Sequence, residues 1–136
     1  MRYLHGTDTV VPEHLTGGFF EGWPSPPTPA VHLRILQGSR HVVVARANDD
    51  KQVVGFVTAV GDGVLSAYIP LLEVLPAFRG RGVASELVRR LLGALGELYM
   101  VDVVCDPELV PFYRRFGLQP LTAMARRRYD RQSGAP

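Results

Sequence analysis

The sequence is poor in cysteine and in long apolar runs, and each shortage excludes a class of protein. Its one cysteine, Cys105, cannot form an internal disulfide, and no metal-ligand spacing surrounds it. No apolar run approaches the roughly 20 residues that a membrane-spanning helix needs. The N-terminus also lacks the apolar core of a signal peptide. We therefore expect a cytoplasmic protein with no metal and no membrane partner.

The sequence also has almost no excess of one charge sign over the other. The 15 basic and 13 acidic residues give a net charge of +2, too little for the basic field of a dedicated nucleic-acid binder. Lys51 is the only lysine, so 15 − 1 = 14 basic residues are arginine, whose planar fork suits phosphates and carboxylates. Codon bias in a GC-rich genome produces the same excess. Only the placement of individual arginines therefore carries an argument.

The length of 136 residues, with 46% hydrophobic and 21% charged residues, is typical of one globular domain. The pattern predicts a first helix within 10–20, then a second helix with Thr28 as its N-cap, Pro29 at its first position and Gly38 past its end. Strands, helices and two closing strands are predicted to follow, in this order: His41–Arg46, Gln52–Val60, Val64–Leu75 with an irregularity at Pro70, a helix from Gly82, Met100–Cys105, a helix from Asp106 to Arg115, Leu118–Leu121 and Met124–Tyr129.

This order predicts an α/β (α+β) chain with a mixed, mostly antiparallel sheet flanked by helices. The first two strands read as a hairpin around the turn Asn48-Asp49-Asp50. We expect a single domain over 1–136. Residues 1–38 would form an N-terminal strand and helices, 39–130 the core, and 131–136 a frayed tail.

The segment Leu72–Ser85 carries the chemistry, because a strand ends there, a glycine loop turns and a helix begins. Glycine lets the backbone approach a ligand closely, and the free N–H groups at a helix start attract anions. Arg79 and Arg81 flank Gly80 and add positive charge. These features predict a pyrophosphate-binding loop.

One alternative interpretation is a dinucleotide-binding motif that begins at Gly80-Arg81-Gly82, with Asp102 as the ribose acceptor. Ser85 occupies the third glycine position, and hairpins rather than repeated parallel units precede the loop. Both features weaken this alternative.

Two blocks of the sequence, residues 79–84 and residues 112–118, resemble motifs of the GNAT N-acetyltransferases. Residues 79–84, Arg-Gly-Arg-Gly-Val-Ala, match that superfamily's Q/R-x-x-G-x-G/A signature. Residues 112–118, Phe-Tyr-Arg-Arg-Phe-Gly-Leu, resemble its F-Y-x-x-x-G-F segment. Leu118 stands where phenylalanine is usual. The resemblance implies the GNAT fold, with splayed central strands and acetyl-CoA between them.

The resemblance further implies that acetyl-CoA is the co-substrate. The backbone of Leu72 and Val74 would pair with its pantetheine arm, and the loop would bind its pyrophosphate. The expected cofactor-binding residues are therefore Leu72, Val74, Arg79, Gly80, Arg81, Gly82, Val83, Ala84 and Ser85.

The implied reaction transfers acetyl to a primary amine, most simply that of a small molecule, by direct attack in a ternary complex. Tyr113 matches the family's tyrosine general acid. Glu73 is the candidate base, although strand parity leaves its direction open. Tyr68 and Ser66 could instead relay a proton through water. Cys105 in an apolar strand is better explained by packing than by nucleophilic catalysis.

The acceptor side is expected in the N-terminal region, where Phe19, Phe20, Glu21 and Trp23 offer aromatic walls and one carboxylate. Simple packing of these aromatics is an equally good interpretation. Two other functions remain open: a protein-lysine or N-terminal acetyltransferase, and a non-catalytic acetyl-CoA-binding module. The four scattered histidines are expected at the surface or at edges. Closing strands in such domains often pair across dimers, so a homodimer is possible.

Overall fold

The computed structural model describes residues 1–48 and 50–136. In that part of the chain, six strands form one sheet with the order β1-β2-β3-β4-β6, and β5 also pairs with β3. The predicted hairpin turn includes Asp49, which lies outside the described residues. The strands are β1 Arg2–His5, β2 His41–Arg46, β3 Val53–Gly61, β4 Ser66–Ile69, β5 Leu72–Val74 and β6 Met100–Val103; the helices are α1 Pro29–Gly38, α2 Val83–Leu95 and α3 Val110–Arg114.

The sheet is mixed and mostly antiparallel, as predicted. The β4–β6 pair is parallel, and the pairings β1–β2, β2–β3, β3–β4 and β3–β5 are antiparallel. A Rossmann-type domain needs repeated parallel units, so this sheet excludes the dinucleotide-binding alternative.

The predicted third strand is broken in two at Pro70. Proline has no N–H to donate to a strand ladder, and the chain leaves the β4 pairing there before Leu72 begins β5. Strand β4 pairs with the end of β3, and β5 pairs with its beginning. The irregularity predicted at Pro70 is thus confirmed, and it divides one edge of β3 between two partners.

The core lies on both faces of β3. Gly55 faces α2: a Cβ atom built on it would lie 3.2 Å from side-chain atoms of Val83 and Leu87. The next residue, Phe56, points to the opposite face because side chains alternate along a strand. Its ring centroid lies 4.5 Å from that of His32 on α1. Helices therefore flank the sheet on both sides.

Helix α1 begins as predicted, because the Thr28 hydroxyl accepts a hydrogen bond from the Val31 amide. Two other N-terminal expectations are wrong. A 3-10 turn, Pro12–Leu15, replaces a full first helix. His32 is 1% exposed rather than at the surface or an edge. The helical period alone did not show that the His32 position of α1 faces the core.

The expected closing strands Leu118–Leu121 and Met124–Tyr129 do not form within the described chain. Residues 118–128 have no strand partner, and a 3-10 turn, Tyr129–Arg131, follows them. The tail beyond that turn is not frayed. The Gln132 side chain accepts a hydrogen bond from the Ser25 amide at 3.0 Å, and a Cβ atom built on Gly134 would lie 3.0 Å from Val31 Cγ1.

Candidate active site

Strand β5 presents the backbone of Leu72 and Val74 at its free edge. The Leu75 amide donates to the Val54 carbonyl of β3 at 2.8 Å. Backbone groups in an antiparallel pair point alternately toward the partner strand and away from it. Leu72 and Val74 therefore direct their N–H and C=O groups away from β3, into the opening. This is the orientation that pairing with an extended ligand requires.

The opening exists because β4–β6 pairing ends where β5 begins. The last paired residues of β4 and β6 are Ile69 and Val103. After Ile69, the chain that formed β4 continues as β5 and pairs with β3. After Val103, the chain that formed β6 continues through Val104 and Cys105 without strand pairing. The two central strands are therefore splayed, as the fold prediction stated.

The glycine loop between β5 and α2 exposes a row of backbone donors. Gly80 and Gly82 have φ values of 75° and 80°, a left-handed conformation that favours glycine. Among the described residues, no hydrogen-bond acceptor pairs with the N–H groups of residues 80–85. A Cβ atom built on either glycine would meet nothing within 4 Å. An anion can therefore approach these amides at the start of α2.

The side chains of this loop make contacts that the sequence did not reveal. Arg79 Nε donates to the Val74 carbonyl at 3.1 Å, and its guanidinium pairs with Glu21 at 2.9 Å. Arg79 thus joins the loop to the N-terminal segment. Arg81 lies over the Phe78 ring, with 5.2 Å between its Cζ and the ring centroid.

Arg115 was not selected from the sequence, yet it reaches the loop. Its guanidinium donates to the Ser85 hydroxyl at 3.2 Å and lies against the rings of Phe112 and Phe116. Its place in the second sequence block, two residues after Tyr113, was the only available signal. The helix start is thereby bordered by a cation as well as by free amides.

The Glu73 side chain points to the face of the sheet opposite α2, a direction that the sequence alone left open. It pairs with Phe56, whose side chain lies on the α1 face, and its carboxylate accepts a hydrogen bond from the Phe20 amide at 2.7 Å. Burial raises the pKa of Glu73, although the Phe20 amide and the nearby Arg79 lower it in part. A carboxylate with this raised pKa is a suitable proton acceptor.

The N-terminal aromatics divide into core and cleft. Phe19 and Phe20 are buried and pack edge-on against His32, and Phe20 packs against Trp23. The buried pair thus supports the packing interpretation. Trp23, in contrast, lines a cleft of about 320 Å³ that also includes Glu21, Pro70, Leu71, Leu72, Glu73 and Arg79.

The backbone of Phe20 contacts the cleft through Glu73, which accepts its amide hydrogen bond. With a φ of 63°, Phe20 is the one non-glycine residue in the described chain with a positive φ. This conformation costs free energy for an L-residue. It aims the Phe20 amide at Glu73.

Tyr113 lies buried on α3, near Tyr68 and Cys105. Burial raises the pKa of Tyr113 to about 12, with smaller contributions from Cys105 and Tyr68. Its hydroxyl makes no hydrogen bond with any described residue. The phenol therefore remains protonated at neutral pH.

The remaining candidates lie elsewhere or act differently. The Ser66 hydroxyl donates to Asp62 in the β3–β4 turn, so Ser66 is directed away from the opening. Cys105 is free and half-buried. No group of three or more metal-ligating side chains occurs in the described ranges. No helix within them is long and apolar enough to cross a bilayer.

The structure is thus an open-sheet domain suited to an extended, phosphorylated ligand. It combines splayed strands, a free strand edge and a helix start that can accept an anion. The sequence profile of the acetyltransferase (GNAT) family matches residues 10–118. The chain belongs to this family, which confirms the resemblance found in the sequence and places the chain among acyltransferases.

Individual relatives agree with this assignment. A candidate acetyltransferase from Deinococcus radiodurans is 52% identical, with 99% of this chain and 93% of that one covered and a TM-score of 0.94. An uncharacterized N-acetyltransferase of Porphyra purpurea is 26% identical over 99 residues, 71% of this chain. The chain spans 57% of that relative's length. An aminoglycoside N-acetyltransferase solved with CoA, 19% identical with 93% and 94% coverage, has the same fold with a TM-score of 0.66.

Proposed function

We propose that this domain transfers the acetyl group of acetyl-CoA to the primary amine of a small molecule. The observation that carries the proposal is the position of Glu73. Its carboxylate, with a raised pKa, lines an open cleft beside the free edge of β5. A proton acceptor thus lies where an amine would meet an acyl donor bound along that edge.

The residues present fit acetyl-CoA. The amides of residues 80–85 have no internal acceptor and are open to a diphosphate. Leu72 offers its backbone N–H and C=O for edge pairing with the amide-containing arm, and Val74 offers its N–H, because the Val74 carbonyl already accepts a hydrogen bond from Arg79. When bound, acetyl-CoA supplies the thioester acyl group. The chain's own residues orient it and move the protons.

Two proton transfers are assigned to side chains. Glu73 accepts a proton from the ammonium, and the freed nitrogen lone pair forms the new C–N bond to the acetyl carbon. The C–S bond breaks, and the Tyr113 hydroxyl gives its proton to the departing sulfur. The second proton that the nitrogen loses as the amide forms returns to the Tyr113 oxygen through solvent. The Val74 amide, which faces the opening, stabilises the negative charge that develops on the acetyl oxygen.

The cleft favours a small cationic acceptor. Glu21 is paired with Arg79, which leaves Glu73 to meet an ammonium group. Trp23 supplies an aromatic face, which attracts cations. A space of about 320 Å³ holds a small molecule.

The test is thiol release from acetyl-CoA in the presence of a panel of small amines and of lysine and N-terminal peptides. We expect turnover with at least one small amine and no competition by peptides. Turnover confined to peptides would establish the protein-modifying alternative. CoA binding by calorimetry without turnover on any amine would indicate a non-catalytic module. A cytoplasmic location and the absence of nucleic-acid and membrane partners stay predictions.

A further inference from the structure

Trp23 forms a fixed wall of the cleft beside Glu73. Its amide donates to the Phe20 carbonyl at 3.1 Å, and its ring packs on the Phe20 ring with 4.8 Å between the two centroids. Phe20 is 3% exposed and lies against His32, so this support is part of the core. Trp23 itself remains 36% exposed. One side of the indole is therefore held by the core, and the rest of its surface is available to a ligand.

The segment that follows Trp23 keeps the ring in place. Residues 24–27, Pro-Ser-Pro-Pro, contain three prolines, whose fixed φ angles limit the conformations of the segment. The Ser25 amide donates to the Gln132 side chain at 3.0 Å, which ties the segment to the C-terminal tail. A wall that is already ordered loses little conformational entropy when a ligand packs against it. Trp23 is therefore suited to recognise the shape of a ligand.

The strand break supplies a second apolar surface of the cleft. Pro70 is exposed, and Leu71 next to it is half-buried. The Leu71 carbonyl accepts a hydrogen bond from the Thr58 amide of β3 at 3.0 Å, which fixes this surface on the sheet. Pro70 and Leu71 line the same cleft as Trp23. A wholly polar acceptor would leave these apolar surfaces in contact with water, whereas an apolar ring would remove them from it.

The charges of the cleft suit an acceptor with a single ammonium group. Glu21 is paired with Arg79 at the rim, and both side chains are more than half exposed. Glu73 accepts the Phe20 amide and forms no ion pair with any described residue. A second ammonium would have to displace Arg79 from Glu21, and a carboxylate on the acceptor would lie near both glutamates. We therefore expect the part of the acceptor beyond its amine to be uncharged.

We propose that the acceptor is a primary arylalkylamine. Its ammonium group meets Glu73, and its flat apolar ring packs against Trp23 and the surface of Pro70 and Leu71. Trp23 is then the residue that determines specificity for the ring, because aromatic rings attract each other in offset-stacked and edge-to-face arrangements. This inference rests on the proposed acetyl transfer and names the class of its acceptor.

The experiment uses the fluorescence of Trp23, which is the only tryptophan of the chain and therefore reports on this cleft. The probes are phenylethylamine, propylamine, which has the amine without a ring, and cyclohexylethylamine, whose ring is saturated. Phenylethylamine should give a saturable fluorescence change. Its dissociation constant should lie at least about tenfold below that of propylamine and about threefold below that of cyclohexylethylamine. The KM values for acetyl transfer should follow the same order.

Variants of Trp23 test its role directly. Trp23→Ala should raise the KM for phenylethylamine at least about tenfold more than the KM for propylamine. Trp23→Phe should keep most of the preference, because it keeps an aromatic ring at this position. The matched control is Tyr99→Ala, which removes an aromatic side chain that is 82% exposed and does not line the cleft. This control should leave the preference unchanged.

Failure of this inference and failure of the acetyl transfer give different results. Equal dissociation constants for phenylethylamine and cyclohexylethylamine would overturn the arylalkylamine acceptor, and so would equal effects of Trp23→Ala on the two KM values. Thiol release with propylamine would then still support the acetyl transfer. Tighter binding of phenylethylamine without thiol release from acetyl-CoA would instead overturn the acetyl transfer, while the preference of the cleft for the ring would stand.

Discussion

Two neighbours, strand β3 and the Phe20 amide, position Glu73 for its proposed role as the base. Strand pairing with β3 turns its side chain toward α1, and the Phe20 amide holds one carboxylate oxygen. Burial raises the pKa, but this single hydrogen bond keeps the ionised form accessible. The residue is therefore both positioned and able to exchange a proton.

Replacing Glu73 with Gln should lower kcat about 100-fold or more, because the amide cannot accept a proton. It should leave the fold intact, since the amide oxygen can still accept from Phe20. In the wild type, burial raises the pKa of Glu73 above its ordinary 4.5, so the low-pH limb of the kcat/KM profile should lie above that value. The variant should lose this limb. Glu97→Gln, at an exposed site, is the control, and equal rates for both variants would exclude Glu73 as the base.

Replacing Tyr113 with Phe should lower kcat about tenfold to 100-fold while leaving the CoA dissociation constant unchanged. The wild-type profile should show no loss of activity from this phenol below pH 10, because burial raises the pKa of Tyr113 to about 12. Tyr99→Phe, at a side chain 82% exposed, should have no effect. Steady-state kinetics measure kcat and calorimetry measures the CoA dissociation constant for both variants. A normal kcat in Tyr113→Phe would exclude Tyr113 as the acid.

At the scale of the element, the loop and the first turn of α2 form one binding unit. The left-handed Gly82 sets the direction in which the amides at the start of the helix point. Any L-residue there is strained, by about 1–2 kcal/mol. The loop geometry, rather than any one side chain, is therefore what we expect to determine CoA affinity.

Gly82→Ala should accordingly weaken CoA binding about tenfold, with a smaller effect on kcat at saturation. Gly93→Ala is the matched control. Gly93 lies within α2, has open space around a built Cβ and no positive φ. Alanine there should stabilise the helix by about 0.5–1 kcal/mol and leave affinity unchanged. Calorimetry and urea unfolding test the pair, and unchanged CoA affinity in Gly82→Ala would argue against the loop.

Local signals predicted most elements correctly. Strand His41–Arg46, the Thr28 cap and the break at Pro70 follow from residue types acting over a few positions. The closing strands failed because a strand needs a partner, and residues 118–128 have none within the described chain. The links from Arg79 to Glu21 and from Arg115 to Ser85 join positions far apart in sequence, which no local pattern encodes.

At the scale of the whole molecule, the burial of His32 between α1 and β3 makes the free energy of unfolding depend on pH. Burial lowers the pKa of His32 to about 4, and its Nε2 has no hydrogen-bond partner. Unfolding returns the pKa to about 6.5. Between these values the unfolded chain binds a proton that the folded chain does not, so the free energy of unfolding falls as pH falls.

The wild type should lose about 3 kcal/mol of stability from this group between pH 6.5 and pH 4, measured by urea unfolding at several pH values. His32→Leu should lack this loss, since leucine does not titrate. His5→Leu, an exposed control, should keep it. The same slope in all three proteins would assign the acid sensitivity to other groups.

Strand β3 pairs with β2 along one edge and with β4 and β5 along the other. Its two edges therefore have different tasks: the edge toward β2 keeps one partner, and the other edge changes partner from β4 to β5 at Pro70. The change of partner leaves the pairing of β3 with β2 untouched, because it lies on the opposite edge. We therefore expect sequence changes that reshape the opening to leave the β2–β3 pairing in place.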